Sequence, residues 1–417
     1  MNKRQLVLKT LLVLLLSFLF WGYSFPQDVT IKSLKAYSGK ETDLPVLSGG
    51  QSLSIEFDVQ SDYEPFLTVI FRFCDRNWKP TNNIFLLNQG GYTAYDLEFY
   101  TLPATVTDAR YHIKGAFPDA DGFVSFPFSG KWSYYITDSQ DTSKVYANGK
   151  FFVVFNDVNL NTTIKNALLE DETFFPTDLA KVFNITSVLN LPEEFFPGYV
   201  DHLEIIENHK IEYPVIVDRN FNTNRRQYYW DGNRNFTFTA RDIRPGNEYR
   251  QTDLRNFNKF GQREAKAQFD GLEYSRFFKQ GREDLNGGFI LTKFQDDYAT
   301  YIDVTFSIRP PNSGFKNVYL VGSFNDWQVL PEYKMNDDYG VFKKTITLKR
   351  GIYDYQYVTA DVVNNSLKNI DWYSLEGNGY ETVNQYYLFL YYKDPNFGGY
   401  DRIIGYQKIL NRSKWKN

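Results

Sequence analysis

The stretch Leu53-Ser-Ile-Glu-Phe-Asp-Val59 alternates apolar and polar residues without a break. In an extended strand successive side chains point to opposite faces, so this pattern buries one face and wets the other; a helix of period roughly 3.6 cannot use it. Thr68-Val-Ile-Phe-Arg-Phe73 is a denser β-branched and aromatic run, as an inner strand would be. Comparable runs recur at Lys131–Thr137, Gly149–Phe155, Glu212–Asp218, Asn235–Ala240, Ala299–Ile308, Asn317–Val321, Gly340–Leu348, Tyr353–Thr359 and Tyr386–Tyr392. Turn formers separate them: Ser48-Gly-Gly50, Asp121-Gly122, Asp231-Gly232 and Pro245-Gly246. Only Val158–Leu169 and Leu179–Asn184 offer room for helices. The expected fold is all-β, with tandem β-sandwich domains.

Length and punctuation divide the chain. For 417 residues two or three domains are expected. Lys3, Arg4 and Lys9 precede an apolar run from Leu11 to Trp21, and Gly22 and Ser24 offer a cleavage site, so residues 1–24 read as a secretory signal peptide; an uncleaved anchor helix is the alternative. The segment Asn156–Pro197, with Pro176, Pro192 and Pro197, reads as a strand-poor connector. Arg309-Pro-Pro-Asn-Ser-Gly314 forbids a central strand and marks a second boundary. The expected domains are an N-terminal sandwich over 25–157, a middle β domain over 158–308 and a C-terminal sandwich over 309–417.

Composition excludes several chemistries. The single Cys74 rules out an internal disulfide, and an exported chain without one suits a bacterial periplasm or cell surface. With only His112, His202 and His209, a zinc site of Cys or His ligands has little to draw on; His202 and His209 flank Glu204 and Glu207 but lack a third His nearby. Cys74 sits among Phe71, Phe73 and Trp78 and reads as a packed thiol. Asp119-Ala-Asp-Gly122 lacks the later ligands of a calcium loop and reads as a turn. No nucleophile elbow, phosphate loop or zincin helix occurs, and nothing sets Asp296-Asp297 or Asp337-Asp338 across a cleft, so the chain reads as non-enzymatic, with no cofactor and no small-molecule substrate. A net charge of −4 gives no bulk signal for nucleic acid.

That small charge hides an uneven distribution. Arg219–Arg282 holds 14 Lys and Arg against 7 Asp and Glu. One reading is a solvated sheet face whose Arg pair with neighbouring carboxylates; the other is a docking surface for an acidic partner. Near the C-terminus, Val318-Tyr-Leu-Val-Gly-Ser-Phe-Asn-Asp-Trp327 turns after Gly322, and Tyr353, Tyr355 and Tyr357 share one strand face. This pairing resembles the early-set immunoglobulin-like modules of starch- and glycogen-processing enzymes, which implies that 309–417 is an early-set sandwich at the end of tandem immunoglobulin-like/early-set β-sandwich domains. That resemblance implies Trp327 as a sugar-stacking side chain, in an exported carbohydrate-binding protein; the alternative is that Trp327 packs the sandwich edge.

A wider resemblance covers roughly Asp28 to Tyr406. Phe71-Arg-Phe-Cys-Asp-Arg-Asn-Trp78 with Lys79-Pro-Thr81 resembles the N-terminal signature of the type IX secretion system plug proteins. Val217-Asp-Arg-Asn220 with Tyr229-Trp-Asp231, and Gly246-Asn-Glu-Tyr-Arg250, resemble later family motifs. So do Gly351-Ile-Tyr-Asp-Tyr-Gln-Tyr357, Leu375-Glu-Gly377, Glu381-Thr-Val-Asn384 and Tyr400-Asp-Arg-Ile-Ile-Gly405, in the family's order. The chain departs from the pattern where Arg219 replaces a Gln and Tyr229 an Arg. The resemblance implies a periplasmic plug, monomeric apart from its complex, that binds the large outer-membrane translocon barrel from its inner face and occludes it. Tyr, Trp and Arg carry most interface energy, so the candidate docking residues are Arg225, Arg226, Arg234, Trp230 and Arg250.

Overall fold

The computed structural model describes residues 29–87, 90–94, 97–169, 179–260, 263–268, 271–275, 283–364 and 366–411. The expected signal peptide lies outside the described residues. Among these residues the fold is all-β, and the helical elements are single 3-10 turns. Six sheets form three sandwiches.

In the N-terminal sandwich, one sheet runs Thr30–Ser38, Leu53–Gln60, Tyr111–Phe117, Phe99–Thr101, and its partner runs Val46–Ser48, Val145–Val154, Gly130–Asp138, Leu67–Cys74, Thr93–Ala94. The alternation of Leu53–Val59 works as its period demands: Leu53, Ile55, Phe57 and Val59 all enter the core between the two sheets. Phe71, Phe126, Trp132 and Phe151 meet there mostly edge to face, with ring centroids about 5 to 6 Å apart.

The middle sandwich draws on two distant parts of the chain. Its outer sheet is Asn161–Leu168, Lys181–Asn190, Asn235–Ile243, Arg226–Trp230; its inner sheet is Val215–Asp218, Val200–Glu207, Gln385–Asp394, Tyr400–Leu410. The run Tyr386-Tyr-Leu-Phe-Leu-Tyr-Tyr392 is apolar throughout because both faces of the inner sheet are covered. Tyr386, Leu388, Leu390 and Tyr392 face the middle core. Tyr387, Phe389 and Tyr391 face Phe152 and Val154 of the N-terminal sandwich, with Phe152 stacked on Phe389 at 4.3 Å. Four sheets therefore pack in succession.

The third sandwich occupies Arg250–Asp371. One sheet gathers Arg250–Asp253, Phe289–Leu291, Val318–Gly322 and Ser366–Asp371 around the long strand Gly351–Val363. The other pairs Tyr301–Arg309 with Val341–Lys349 and short flanking strands.

Three expectations are corrected. Val158–Leu169 and Leu179–Asn184 are not helical, and Asn156–Pro197 is not strand-poor: Asn161–Leu168 and Lys181–Asn190 pair antiparallel over eight unbroken positions. The boundary at Arg309–Gly314 is not a domain boundary. Ile302, Val304, Phe306 and Ile308 before it share a core with Val318 and Leu320 after it, so the prolines end a strand where the chain crosses between two sheets of one sandwich. The third sandwich is inserted between Asn235–Ile243 and Gln385–Asp394, and residues 385–410 return to the middle sandwich rather than to the third.

Candidate functional site

The five candidate docking residues fall into different environments. Phe236, Phe238 and Ala240 are buried, so Thr237 and Thr239 point outward. Cross-strand pairing then lays out the outer face of the middle sandwich. One row is Tyr229, Thr237, Val188 and Asn161; the next is Gln227, Thr239, Thr186 and Thr163. Arg225 stands at the end of this face, 62% exposed, with its Nε 2.9 Å from Asp242. Tyr229 is 63% exposed, and Phe221, in the preceding loop, is 71% exposed. Trp230 lies on the other side of its strand, stacked on Phe236, and donates from its indole to the Asn233 carbonyl; one edge of the ring stays open to solvent.

The remaining arginines hold the chain together. Arg226 donates to the carbonyls of Arg225 and Arg241, and Arg234 to those of Leu191, Pro192, Glu193 and Phe195. Arg250 is a correction: it is buried and presents nothing to a partner. Its Nε lies 2.9 and 3.0 Å from the two Glu376 oxygens, Nη1 lies 2.8 Å from Glu273, and Nη2 donates to the Tyr274 carbonyl. Tyr355 and Tyr357 donate to the second Glu273 oxygen. Burial alone would weaken the guanidinium's hold on its proton, but the Glu376 and Glu273 charges outweigh it and raise the pKa.

Trp327 is the second correction. Its backbone and that of Asp326 are left-handed, at φ +59° and +52°, which turns the indole inward. The ring is 1% exposed, packs on Tyr249 at 4.1 Å and donates from Nε1 to the Gly287 carbonyl at 2.7 Å. A sugar ring has no face to stack on there.

The motifs that carry the plug-family resemblance meet one another across domain seams. Arg76, at the turn after Leu67–Cys74, donates to Asp201 and Asp218, both at 3.1 Å, and its backbone N–H to Asp401 at 2.9 Å. Trp78 packs on Phe152 with Lys131 and Lys150 over its ring. Lys131 also reaches Glu204 through a fully buried pair. A Cβ at Gly405 would approach the Val158 carbonyl to 3.0 Å, so glycine at this motif position lets the two backbones come close without displacing a neighbour. At a second seam Gly246 and Asn247 bond Asn378 and the Glu376 carbonyl, while Asn384 bonds Asn208 and the Pro245 carbonyl. A third seam joins the N-terminal and third sandwiches: Asp58 lies 2.7 Å from His112 Nδ1 and 2.8 Å from both Lys349 and the Tyr301 hydroxyl. Burial would raise the Asp58 pKa, but the His112 hydrogen bond and the Lys349 charge overcome it and hold the carboxyl below the usual range.

The remaining polar candidates are engaged in local contacts. His202 bonds Asp201 and stacks on Tyr391, and Glu207 pairs with Lys210. His209 faces the Thr42 carbonyl, and burial pushes its pKa down to about 4. Among the described residues no cluster of three or more His, Cys, Asp or Glu is arranged to hold a metal. Asp119 closes its turn on the N–H groups of Phe123 and Val124. Cys74 is buried against Ser133, and burial pushes its thiol pKa up. Asp296 accepts from the Tyr298 N–H, and Asp338 pairs with Lys343. Sequence reasoning missed a buried carboxylate group around the second seam. Asp354 accepts from Gln251 and from the N–H groups of Leu285 and Gly287, and Asp284 accepts from that of Tyr249. Burial pushes Asp354 up to about 7 and raises Asp284 as well, with the Asp354 charge adding to the rise in Asp284.

No family model matches the chain, and no curated protein does. Among solved structures it is similar to the crystal structure of a hypothetical protein from Parabacteroides merdae, with a TM-score of 0.74 at 19% identity, covering 92% of this chain and 99% of that one. At this identity the likeness speaks for the fold.

Proposed function

We propose that this chain is a non-enzymatic periplasmic plug that binds the inner mouth of the large outer-membrane barrel of the type IX secretion system and closes it when no cargo passes. The observation that carries this reading is the convergence of its motifs. Arg76, Asp218 and Asp401, from three separate motifs, meet at one ion-pair cluster that Asp201 completes, and 246–250, 376 and 384 meet around another. Motifs that share a scaffold role in this way belong to one architecture rather than to unrelated coincidences.

A stopper must resist deformation, and seams held by ion pairs that are buried or partly buried suit that need because sliding one sandwich on another would leave charges unpaired. The docking surface in this reading is the outer face of the middle sandwich, where Arg225 and Tyr229 offer residue types that anchor protein interfaces. The test is recovery from detergent-solubilised outer membranes with the full mature chain as bait. A very large barrel protein is the expected catch, and deleting the gene beside an intact barrel should admit large antibiotics. Recovery of no barrel together with unchanged permeability would remove the proposal.

A further inference from the structure

Every sheet edge exposes a row of backbone N–H and C=O groups, and proteins commonly guard such edges with short strands, bulges, lysines or coverage by other chain segments. Most terminal strands here are guarded in this way. Val46–Ser48, Phe99–Thr101, Asn336–Asp338 and Phe289–Leu291 have three residues each, and Val215–Asp218 and Arg250–Asp253 have four. Thr30–Ser38 is broken by an irregularity between Lys32 and Lys35. Tyr400–Leu410 is partly covered, since Val158 bridges to Gly405 and donates to the Ile404 carbonyl.

Asn161–Leu168 differs. It ends the outer sheet of the middle sandwich, pairs among the described residues only with Lys181–Asn190 and keeps register over all eight positions. It carries no proline or glycine, and Lys165 is its one charge. Among the described residues no hydrogen bond reaches the free-side backbone groups, those of Thr162, Ile164, Asn166 and Leu168; the Tyr380 hydroxyl bonds the Ala167 carbonyl, which faces Lys181–Asn190. Ile164, half-buried against the middle core, and Leu168, 57% exposed, share its inward row.

We infer that Asn161–Leu168 is a strand-accepting edge, which takes an extended segment of another protein as a fifth strand of the outer middle sheet. The edge chemistry selects that occupant, because alternating donors and acceptors at strand spacing are matched only by another extended backbone. Side chains refine it: apolar residues on the inward row would cover the flanks of Ile164 and Leu168, and an acidic residue on the outward row would meet Lys165. Pairing with a second copy is disfavoured in the register centred on Lys165, which sets two lysines directly opposite. This inference goes beyond the plug reading, and its test needs no barrel.

The probe is an acetylated eight-residue peptide of alternating valine and glutamate, added to the unmodified full chain and followed by residue-resolved hydrogen exchange. At about ten times its dissociation constant, exchange at alternate amides of Asn161–Leu168 should slow roughly tenfold. Two further peptides, N-methylated on one or the other alternate set of amides, should differ: the set facing the edge abolishes protection and the other retains it. The inference is overturned if the parent peptide protects nothing, if both methylated peptides protect equally, or if protection without peptide rises with protein concentration, which would assign the edge to a second copy.

Discussion

Arg250 and Arg225 lie 25 positions apart in one basic stretch and serve opposite ends. Arg250 sits at a seam with four of its hydrogen bonds made to Glu376, Glu273 and the Tyr274 carbonyl. Arg225 stands in solvent with one carboxylate neighbour. The difference lies in what surrounds each residue. Buried charge holds geometry because its loss strands a partner in low dielectric, whereas exposed charge adds little stability and is free to meet something else. Arginine counts along the chain therefore say little about docking until burial separates the two kinds.

The largest effect is expected at the seam. Arg250→Ala leaves Glu376 and Glu273 buried without their cation and should cost about 3 to 5 kcal/mol of unfolding free energy, read from urea titration. A loss within experimental error would break the contrast from the buried side. Arg76→Ala strikes a seam whose arginine keeps 26% of its side chain exposed, so water can partly replace the lost bonds. Its cost should be smaller, about 1 to 3 kcal/mol, as for a buried acceptor left unsatisfied. If Arg76→Ala proves worse than Arg250→Ala, burial is not what ranks these sites.

The buried carboxylates sharpen the same contrast through pH. Asp354 has a folded pKa of about 7 against an ordinary 3.8, so the folded state holds its proton more tightly than the unfolded one. That stabilisation is complete below the unfolded value and is lost as pH rises through about 7. Asp58 runs the other way: its lowered pKa gives stability that is present above the ordinary carboxylate range and disappears as pH falls through its folded value. Asp354→Asn should flatten the decline in melting temperature between about pH 4 and 7 and leave the acid limb in place. An unchanged slope would show that Asp354 is not protonated there.

The smallest effect on stability is expected on the open face. Arg225→Glu and Tyr229→Ala touch no buried network, and each should shift stability by about 0.5 kcal/mol or less. Reversing Arg226 or Arg234 is a poorer test, because each ties backbone carbonyls together and its loss disturbs the sheet itself.

Strands were legible wherever one face is buried. Leu53–Val59 shows its alternation, and Tyr386–Tyr392 shows the continuous apolar run of a strand covered on both sides. Asn161–Leu168 escaped notice because an edge strand with polar residues on both rows has no hydrophobic period to read. The domain insertion escaped because strand partners are set by long-range packing: Val200–Glu207 pairs with Gln385–Asp394, nearly two hundred positions away, and no local pattern encodes that. Arg250 looked like surface because its partner Glu376 is 126 residues distant. Trp327 looked like a platform because its turn was readable while the Tyr249 and Gly287 waiting on the other side were not.

The most direct measurement compares barrel recovery by three baits from solubilised outer membranes: the native chain, the double variant Arg225→Glu with Tyr229→Ala, and Arg250→Lys as a control at the seam. The account predicts that the double variant melts like the native chain yet recovers little or no barrel, while Arg250→Lys melts earlier and, held below its melting point, still recovers it. Equal recovery by the native chain and the double variant would contradict the assignment of docking to the open face of the middle sandwich.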